Sequence, residues 1–220
     1  RNLNMVDWQN EKLKSLVVLL SGTGSTLDNI CRHCYEDGGI LKDVAQVTQV
    51  ITDKPKALGI QVAKQYGAIP YIVPYDPEME PREDWRRRIT RCIMAPVDLV
   101  VLAGFTQLID VDPKFAGKIV NVHPSLLPRH GGKGMYGRKV HEAVLASGDK
   151  VTGCTVHLVD GEYDHGPVLA QREVQILEGD TVENLTEKVK AAERELYPQT
   201  IRNLLVSNDK YKQAQSSSSK

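Results

Sequence analysis

The chain of 220 residues carries 28 lysines and arginines against 28 aspartates and glutamates, so its formal net charge is zero. A balanced charge argues against a nucleic-acid partner or an anionic membrane surface, because both select a basic excess. No apolar run approaches the roughly 20 residues that a membrane-spanning helix needs, and the four cysteines are too few and too scattered for a disulfide framework. The sequence therefore predicts a cytoplasmic protein that binds neither nucleic acid nor membrane.

Short apolar segments alternate with helical patterns along the first half of the chain. Residues 15–20 are mainly apolar, as expected of a strand that is buried on both faces. Further strands are predicted at residues 44–52, 68–73 and 99–103 and from residue 119, and helices are predicted at residues 57–66 and 81–94. This alternation indicates an α/β fold with a Rossmann-like, mostly parallel twisted sheet that has helices on both faces.

The second half of the chain departs from this alternation. Strands at residues 151–159 and 167–176 are predicted to form an antiparallel hairpin, and a long C-terminal helix follows at about residues 181–206. Pro198 is expected to kink or break that helix, since proline lacks the N–H that a helix interior needs. The predicted organisation is a flexible N-terminal arm at residues 1–13, a single domain at residues 14–207 and a disordered polar tail at residues 208–220.

A glycine-rich segment, Ser21-Gly-Thr-Gly-Ser-Thr26, joins the first strand to the first helix. This arrangement presents backbone N–H groups and a helix N-terminus to an anion. A dinucleotide-binding turn would need a third glycine where Leu27 stands, and a P-loop would need a lysine that is absent. A simple phosphate is therefore the favoured ligand. A turn that uses glycine only for its backbone freedom is the alternative.

Asn121 and His123 are two residues apart on a strand that ends at Pro124, so their side chains point to the same face. Acyl transfer needs such a pair, with a hydrogen-bond donor for a developing oxyanion and an acid or base for the proton of the nucleophile. Ligands of parallel sheets bind beyond the carboxyl ends of the strands. We expect this pair and the glycine-rich segment to meet in one crevice, although two polar strand residues alone are more often structural.

Six motifs, in order and spacing, resemble the folate-dependent formyltransferase family over nearly the whole chain from Lys14 to about Val206. They are Ser21-Gly-x-Gly-Ser25, Leu102-Ala-Gly-Phe105, Asn121-x-His-Pro-Ser-Leu-Leu-Pro128, Gly153-Cys-Thr-Val-His157, Asp164-x-Gly-Pro167 and Glu193-x-x-Leu-Tyr-Pro198. Within the family, the resemblance is to enzymes of de novo purine biosynthesis. They transfer the formyl group of 10-formyltetrahydrofolate to the primary amine of glycinamide ribonucleotide. The resemblance implies these two small-molecule substrates, with the reduced folate as co-substrate. It also implies that no metal, nicotinamide or flavin is needed, and that the protein is a monomer or homodimer.

The resemblance also implies roles for individual residues. The implied catalytic residues are Asn121, His123 and Asp164, and Asp164 is expected to raise the pKa of His123 toward neutrality. The residues implied to bind the phosphate and ribose of the substrate are Gly24, Ser25, Thr26 and Glu193. Those implied to bind folate are Arg82, Thr106, Gln107, Leu108, Ile109, Asp160, Gly161, Glu162 and Tyr163. The chain departs from the family at Thr23 and Thr26, which often are asparagines, and at Thr106-Gln107, which often is Met-Arg, so altered phosphate and folate contacts are expected.

Three other functions stay open on the sequence. A related formyl-folate enzyme would act on methionyl-tRNA or an amino sugar, or would hydrolyse the formyl group. A nicotinamide-dependent oxidoreductase would use Asp53, after the second strand, to bind a ribose. A regulator that only binds phosphate would not need His123 and Asp164 in one crevice.

Overall fold

The computed structural model describes residues 13–94 and 96–217, with side chains described as far as Ser207. In chain order the strands are β1 (Lys14–Leu20), β2 (Ala45–Thr52), β3 (Ile69–Ile72), β4 (Leu99–Leu102), β5 (Ile119–His123), β6 (Val151–Leu158) and β7 (Val168–Gln175). The helices are α1 (Ser25–Tyr35), α2 (Gly59–Gln65), α3 (Arg82–Arg91), α4 (Arg138–Ala146) and α5 (Val182–Ser217), with a 3-10 turn at Pro113–Phe115. None of the helices in these residues is long and apolar enough to cross a membrane.

The strands form one sheet in the order β3-β2-β1-β4-β5-β6-β7. Neighbouring strands from β3 to β5 are parallel, whereas β6 is antiparallel to both β5 and β7. The predicted fold class is therefore confirmed, including the antiparallel hairpin and the long C-terminal helix. The hairpin is possible because β6 and β7 are joined directly by the loop at residues 159–167, without the helical crossover that a parallel pair requires.

The apolar run of β1 is fully buried because successive side chains point to opposite faces of the sheet. Leu16, Val18 and Leu20 belong to the core that also contains the buried residues of α1 and α5. Val17 and Leu19 belong to a second core, which packs against α3. Burial of each such side chain contributes about 2 kcal/mol of transfer free energy, so β1 anchors helices on both faces at once.

The strand order reverses at β1: β2 and β3 are added on one side of it, and β4 and β5 on the other. From β1 the chain builds outward to β2 and β3, and then α3 returns it to the other side of β1. The loops after β1 and β4 therefore part at this point and leave a crevice, which is where open α/β sheets bind ligands. Two hydrogen bonds hold the loops in register: Ser21 N–H donates to the Gly104 carbonyl at 3.1 Å, and Thr106 N–H donates to Ser21 Oγ at 3.1 Å.

Helix α5 differs from its prediction in two respects. Pro198 lies inside the helix, so the predicted break does not occur, and the Arg194 carbonyl, which has no N–H donor at position 198, accepts a hydrogen bond from Asn29 Nδ2 at 2.9 Å. The helix also ends at Ser217 rather than near Val206, since the intervening sequence contains no glycine or further proline to stop it.

The predicted arm and tail fall mostly at or beyond the limits of what is described. Residues 208–217, which the prediction placed in the tail, are helical backbone of α5. Residues 218–220 and residues 1–12 of the arm lie outside the described residues. The division into an arm, one domain and a tail stays a prediction.

Candidate active site

A cavity of about 630 Å³ opens at the carboxyl ends of β1, β4 and β5. It is lined by the glycine-rich segment, by the loop after β4, by the end of β5 and by one face of α5. All but three of the site residues predicted from the sequence line it. The exceptions are Arg82, Asp160 and Gly161.

Asp164 contacts both predicted catalytic residues of β5. Its Oδ2 atom accepts a hydrogen bond from Gly132 N–H at 2.9 Å and lies 3.3 Å from His123 Nδ1. Its Oδ1 atom is 3.5 Å from Asn121 Nδ2. The backbone of Asp164 has a φ of 54°, in the left-handed region where Asp is tolerated better than most side chains. The structure thus brings the three residues together although 41 and 43 positions separate Asp164 from its partners.

His123 is 3% exposed, and opposing influences act on its pKa. Its Nε2 atom is 2.8 Å from the His130 carbonyl and its Nδ1 atom faces Asp164, so both ring nitrogens meet acceptors. A neutral ring has one N–H and satisfies only one of them, whereas imidazolium satisfies both. Burial outweighs this preference and lowers the pKa of His123 below its ordinary value. Asp164 does act to raise the pKa of His123, as expected, but the cost of desolvation is larger and the net shift is downward.

His157 orients the side chain of Asn121. The two residues are directly opposite each other in the antiparallel pair of β5 and β6. His157 Nδ1 is 2.9 Å from the Leu158 carbonyl, which can only accept, so Nδ1 carries the proton. His157 Nε2 is then the acceptor for Asn121 Nδ2 at 3.1 Å. One Asn121 N–H is held by His157, and the other points toward the longer contact with Asp164.

The glycine-rich segment forms an open helix N-terminus that borders the cavity. Gly24 has a φ of 82°, and a Cβ atom there would lie 2.5 Å from the Gly59 backbone, so only glycine fits. Helix α1 has no side-chain cap, and Ser25 and Thr26 of its first turn line the cavity. Uncapped N–H groups and the helix dipole together favour an anion here.

Glu193 and Lys190 reach the same end of the cavity from α5. Burial raises the pKa of Glu193 to about 7, despite the nearby positive charges of Lys190 and Arg194. Lys190 was not predicted as a site residue. Its spacing of three from Glu193 on one helix face is a signal that could have identified it, since residues three apart on a helix are neighbours.

Most of the residues predicted to bind folate also line the cavity. The segment 106–109 lines it after β4, and Glu162 and Tyr163 line it from the loop that ends at Asp164. Arg82 lies outside the lining but donates to Gln107 Oε1 at 2.9 Å, and its guanidinium is 4.3 Å from the centre of the Tyr75 ring. Asp160 is bound to His165 Nδ1 at 2.7 Å instead of facing the cavity.

Comparison with known proteins identifies the family. The formyl transferase family model matches residues 14–201. The chain belongs to the formyl transferase family. Among its relatives is the chloroplastic phosphoribosylglycinamide formyltransferase of Vigna unguiculata, 40% identical over 196 residues, which cover 86% of this chain and 60% of the relative. The Escherichia coli (strain K12) phosphoribosylglycinamide formyltransferase is 34% identical over 85% of each chain.

The chain is also similar to solved structures. Glycinamide ribonucleotide transformylase 1 from Symbiobacterium toebii is 35% identical and superposes with a TM-score of 0.76 over 90% of both chains. The chain spans less than two thirds of the length of the plant relatives it matches, at 60% for Vigna unguiculata and 64% for Arabidopsis thaliana.

Asp53 of this formyl transferase is poorly placed for the role that a nicotinamide enzyme would give it. Its side chain is 2% exposed and does not line the cavity, and its Oδ2 atom is 3.6 Å from Lys54 Nζ. A ribose in the cavity therefore has no contact with it. Within the described part of the chain, no group of three or more His, Cys, Asp or Glu side chains is arranged to hold a metal ion.

His141 is a second site residue that sequence reasoning did not select. It is 3% exposed on α4, lines the cavity, and has a buried Nδ1 atom with no hydrogen-bond partner. Desolvation lowers the pKa of His141 to about 4, and the neighbouring Lys190 and His123 act in the same direction. The ring is therefore neutral at pH 7.

This neutrality makes the stability of the formyl transferase depend on pH. At pH values below the ordinary histidine pKa of about 6.5, His141 is protonated in the unfolded chain but stays neutral in the native protein down to about pH 4. Stability is therefore lost as the pH falls from about 6.5 toward 4, and by pH 4.5 this residue accounts for a loss of about 2.5 kcal/mol. We expect His141→Gln to lose correspondingly less unfolding free energy between pH 7 and 4.5, as measured by urea denaturation.

His165→Gln is the matched control, since His165 is exposed and Asp160 raises its pKa. Its replacement should leave the acid-dependent loss intact or enlarge it. An equal loss in the wild-type protein and in His141→Gln would show that His141 does not stay neutral in the native state.

Proposed function

We propose that the chain transfers the formyl group of 10-formyltetrahydrofolate to the primary amine of glycinamide ribonucleotide, as a phosphoribosylglycinamide formyltransferase. The observation that carries the proposal is that the Asn121, His123 and Asp164 cluster and the anion site of α1 open into one cavity. Its membership of the formyl transferase family and the printed names of its relatives support the same activity. A formyl-folate hydrolase would not need the anion site.

The substrates are assigned to opposite ends of the cavity. The 5′-phosphate of glycinamide ribonucleotide lies on Gly24, Ser25 and Thr26, with the charge of Lys190 nearby. Glu193 accepts a hydrogen bond from a ribose hydroxyl. The folate occupies the end lined by residues 106–109, Glu162 and Tyr163. Contacts to Arg82, Asp160 and Gly161 at the rim stay predictions, and the departure at Thr106-Gln107 leaves backbone groups to bind the pterin.

The developing oxyanion is assigned to Asn121. The substrate amine attacks the formyl carbon, and negative charge then gathers on the formyl oxygen. The contact of Asn121 Nδ2 with Asp164, at 3.5 Å, is the weaker of its two, so the oxyanion replaces it. The contact with His157, at 3.1 Å, keeps the amide oriented while this happens. A pre-aligned donor of this kind stabilises the transition state without reorganisation.

His123 and Asp164 are assigned to proton transfer. The attacking nitrogen loses a proton as its bond to the formyl carbon forms, and N10 of the folate gains one as its bond to that carbon breaks. His123 is neutral at pH 7 because burial lowers its pKa. Both of its ring nitrogens face acceptors, so the proton reaches the ring through the Asp164 carboxylate, which lines the cavity and lies 3.3 Å from His123 Nδ1. The resulting imidazolium donates to both the His130 carbonyl and Asp164. The pair therefore holds the proton between the two steps.

Two further predictions from the sequence belong to this proposal. They are that the protein is a monomer or a homodimer and that it acts in the cytoplasm. The printed names of the two plant relatives assign those proteins to the chloroplast.

The proposal is tested by following folate product formation spectrophotometrically from 10-formyltetrahydrofolate, with and without glycinamide ribonucleotide. Turnover is expected only when the amine substrate is present, because the formyl group has no other acceptor in the proposed mechanism. Equal turnover without the amine would identify a hydrolase and contradict the proposal. No turnover in either case would contradict it as well.

His123→Ala is the active-site control for this assay. We expect its turnover number to fall by about 10²- to 10⁴-fold, the usual effect of removing an acid or base. His33→Ala, on α1 and away from the cavity lining, should retain wild-type turnover.

Thr26→Asp tests the assigned phosphate position. A carboxylate in the first turn of α1 would face the phosphate, and like charges a few ångströms apart repel by several kcal/mol at most. The KM for glycinamide ribonucleotide should rise at least about tenfold, while the KM for 10-formyltetrahydrofolate stays within twofold. Steady-state kinetics with each substrate varied in turn measure both.

Thr26→Ser is the matched control, because it keeps the hydroxyl and adds no charge, and its KM values should remain near those of the wild-type protein. An unchanged KM in Thr26→Asp would place the phosphate elsewhere.

A further inference from the structure

We propose that Asn29 is a positioning residue for the phosphoribosyl part of the substrate, because it fixes α1 against α5 at the carbonyl that Pro198 leaves without a helical donor. The inference rests on the proposed function, since it names the substrate whose binding the contact supports. It concerns a residue that neither contacts the reacting atoms nor belongs to a sequence motif of the site.

The contact arises from the chemistry of proline. In an α-helix the N–H of residue 198 would donate to the carbonyl of Arg194, four residues earlier. Pro198 has no N–H, so that carbonyl is left without its partner inside α5. Asn29 Nδ2 donates to it at 2.9 Å from α1, 165 positions away in the chain. The bond therefore supplies from outside what the helix cannot supply itself.

Both ends of this bond lie one helical turn from assigned substrate contacts. Asn29 follows Ser25 of the anion site by four residues on α1, and Arg194 follows Lys190 by four on α5 and is adjacent to Glu193. A small cavity of about 100 Å³ between the two helices is bordered by Ser25, Thr26, Lys190 and Glu193, and by Asn29 and Arg194 themselves. The bond thus lies at the edge of the space where the two helices meet the phosphoribosyl group.

A hydrogen bond can fix the relative position of two helices more closely than apolar packing. The side chains of Leu27 and Ile30 on α1 share a core with Leu196 and Ile201 on α5, and such burial is non-directional. It tolerates small displacements of one helix along the other. The bond from Asn29 is directional, so it sets how far Glu193 and Lys190 stand from the first turn of α1.

Asn29→Ala should therefore weaken binding of glycinamide ribonucleotide without slowing the chemistry. We expect the KM for this substrate to rise about 3- to 10-fold, in line with the loss of one hydrogen bond. The turnover number and the KM for 10-formyltetrahydrofolate should stay within twofold. A merely structural role would lower the unfolding temperature and leave the KM unchanged. Gln199→Ala, which removes an exposed amide bonded to Asn203 on the same helix, is the matched control.

The possible results separate this inference from the proposed function. An unchanged KM in Asn29→Ala, with normal amine-dependent turnover of the wild-type protein, would overturn the inference alone. Absence of amine-dependent turnover in the wild-type protein would overturn the proposed function and the inference together.

Discussion

The carboxylate of Asp164 is the contact on which the rest of the site depends. Its Oδ2 atom accepts from Gly132 N–H and faces His123 Nδ1, and its Oδ1 atom faces Asn121 Nδ2. One side chain thus joins β5, the loop after β5 that contains Gly132, and the loop between β6 and β7. The left-handed backbone at this position, which commonly costs about 1 kcal/mol or more, is held by these contacts.

The sheet brings that carboxylate and the first turn of α1 to one cavity. The order of β1, β4 and β5 brings their carboxyl ends to one edge, so the loop after β1 and the polar residues of β5 open on the same side. Helix α5 then crosses this edge, and Tyr197 ties it down through hydroxyl contacts of 2.9 Å and 3.0 Å to the carbonyls of Leu102 on β4 and Val120 on β5. The two ends of the cavity are therefore connected through buried, hydrogen-bonded elements.

Electrostatics in the cavity are governed by burial as much as by charge. Desolvation lowers the pKa values of His123 and His141 and raises that of Glu193. In each case the neutral form gains, as expected where water is excluded. This cavity therefore holds a neutral His123 beside the Asp164 carboxylate.

Local sequence patterns were enough to predict those features of the structure that depend on residues close together in the chain. The apolar runs of β1 and β4, the glycine turn at Gly24 and the alternation of Asn121 with His123 could all be read in this way. The donor to the Arg194 carbonyl in α5 could not, because it is Asn29, which lies 165 positions away in the chain. The lowered pKa of His123 and the position of His141 in the cavity were missed for a related reason: desolvation is a property of the packed molecule.

The most direct test of this account is the single-turnover rate of formyl transfer in Asp164→Asn, with both substrates saturating. Asparagine keeps the size of the side chain but cannot stabilise imidazolium at His123, so the rate should fall by about 10²- to 10⁴-fold while both substrates still bind. A rate within threefold of the wild-type value would contradict the central role of the Asp164 carboxylate.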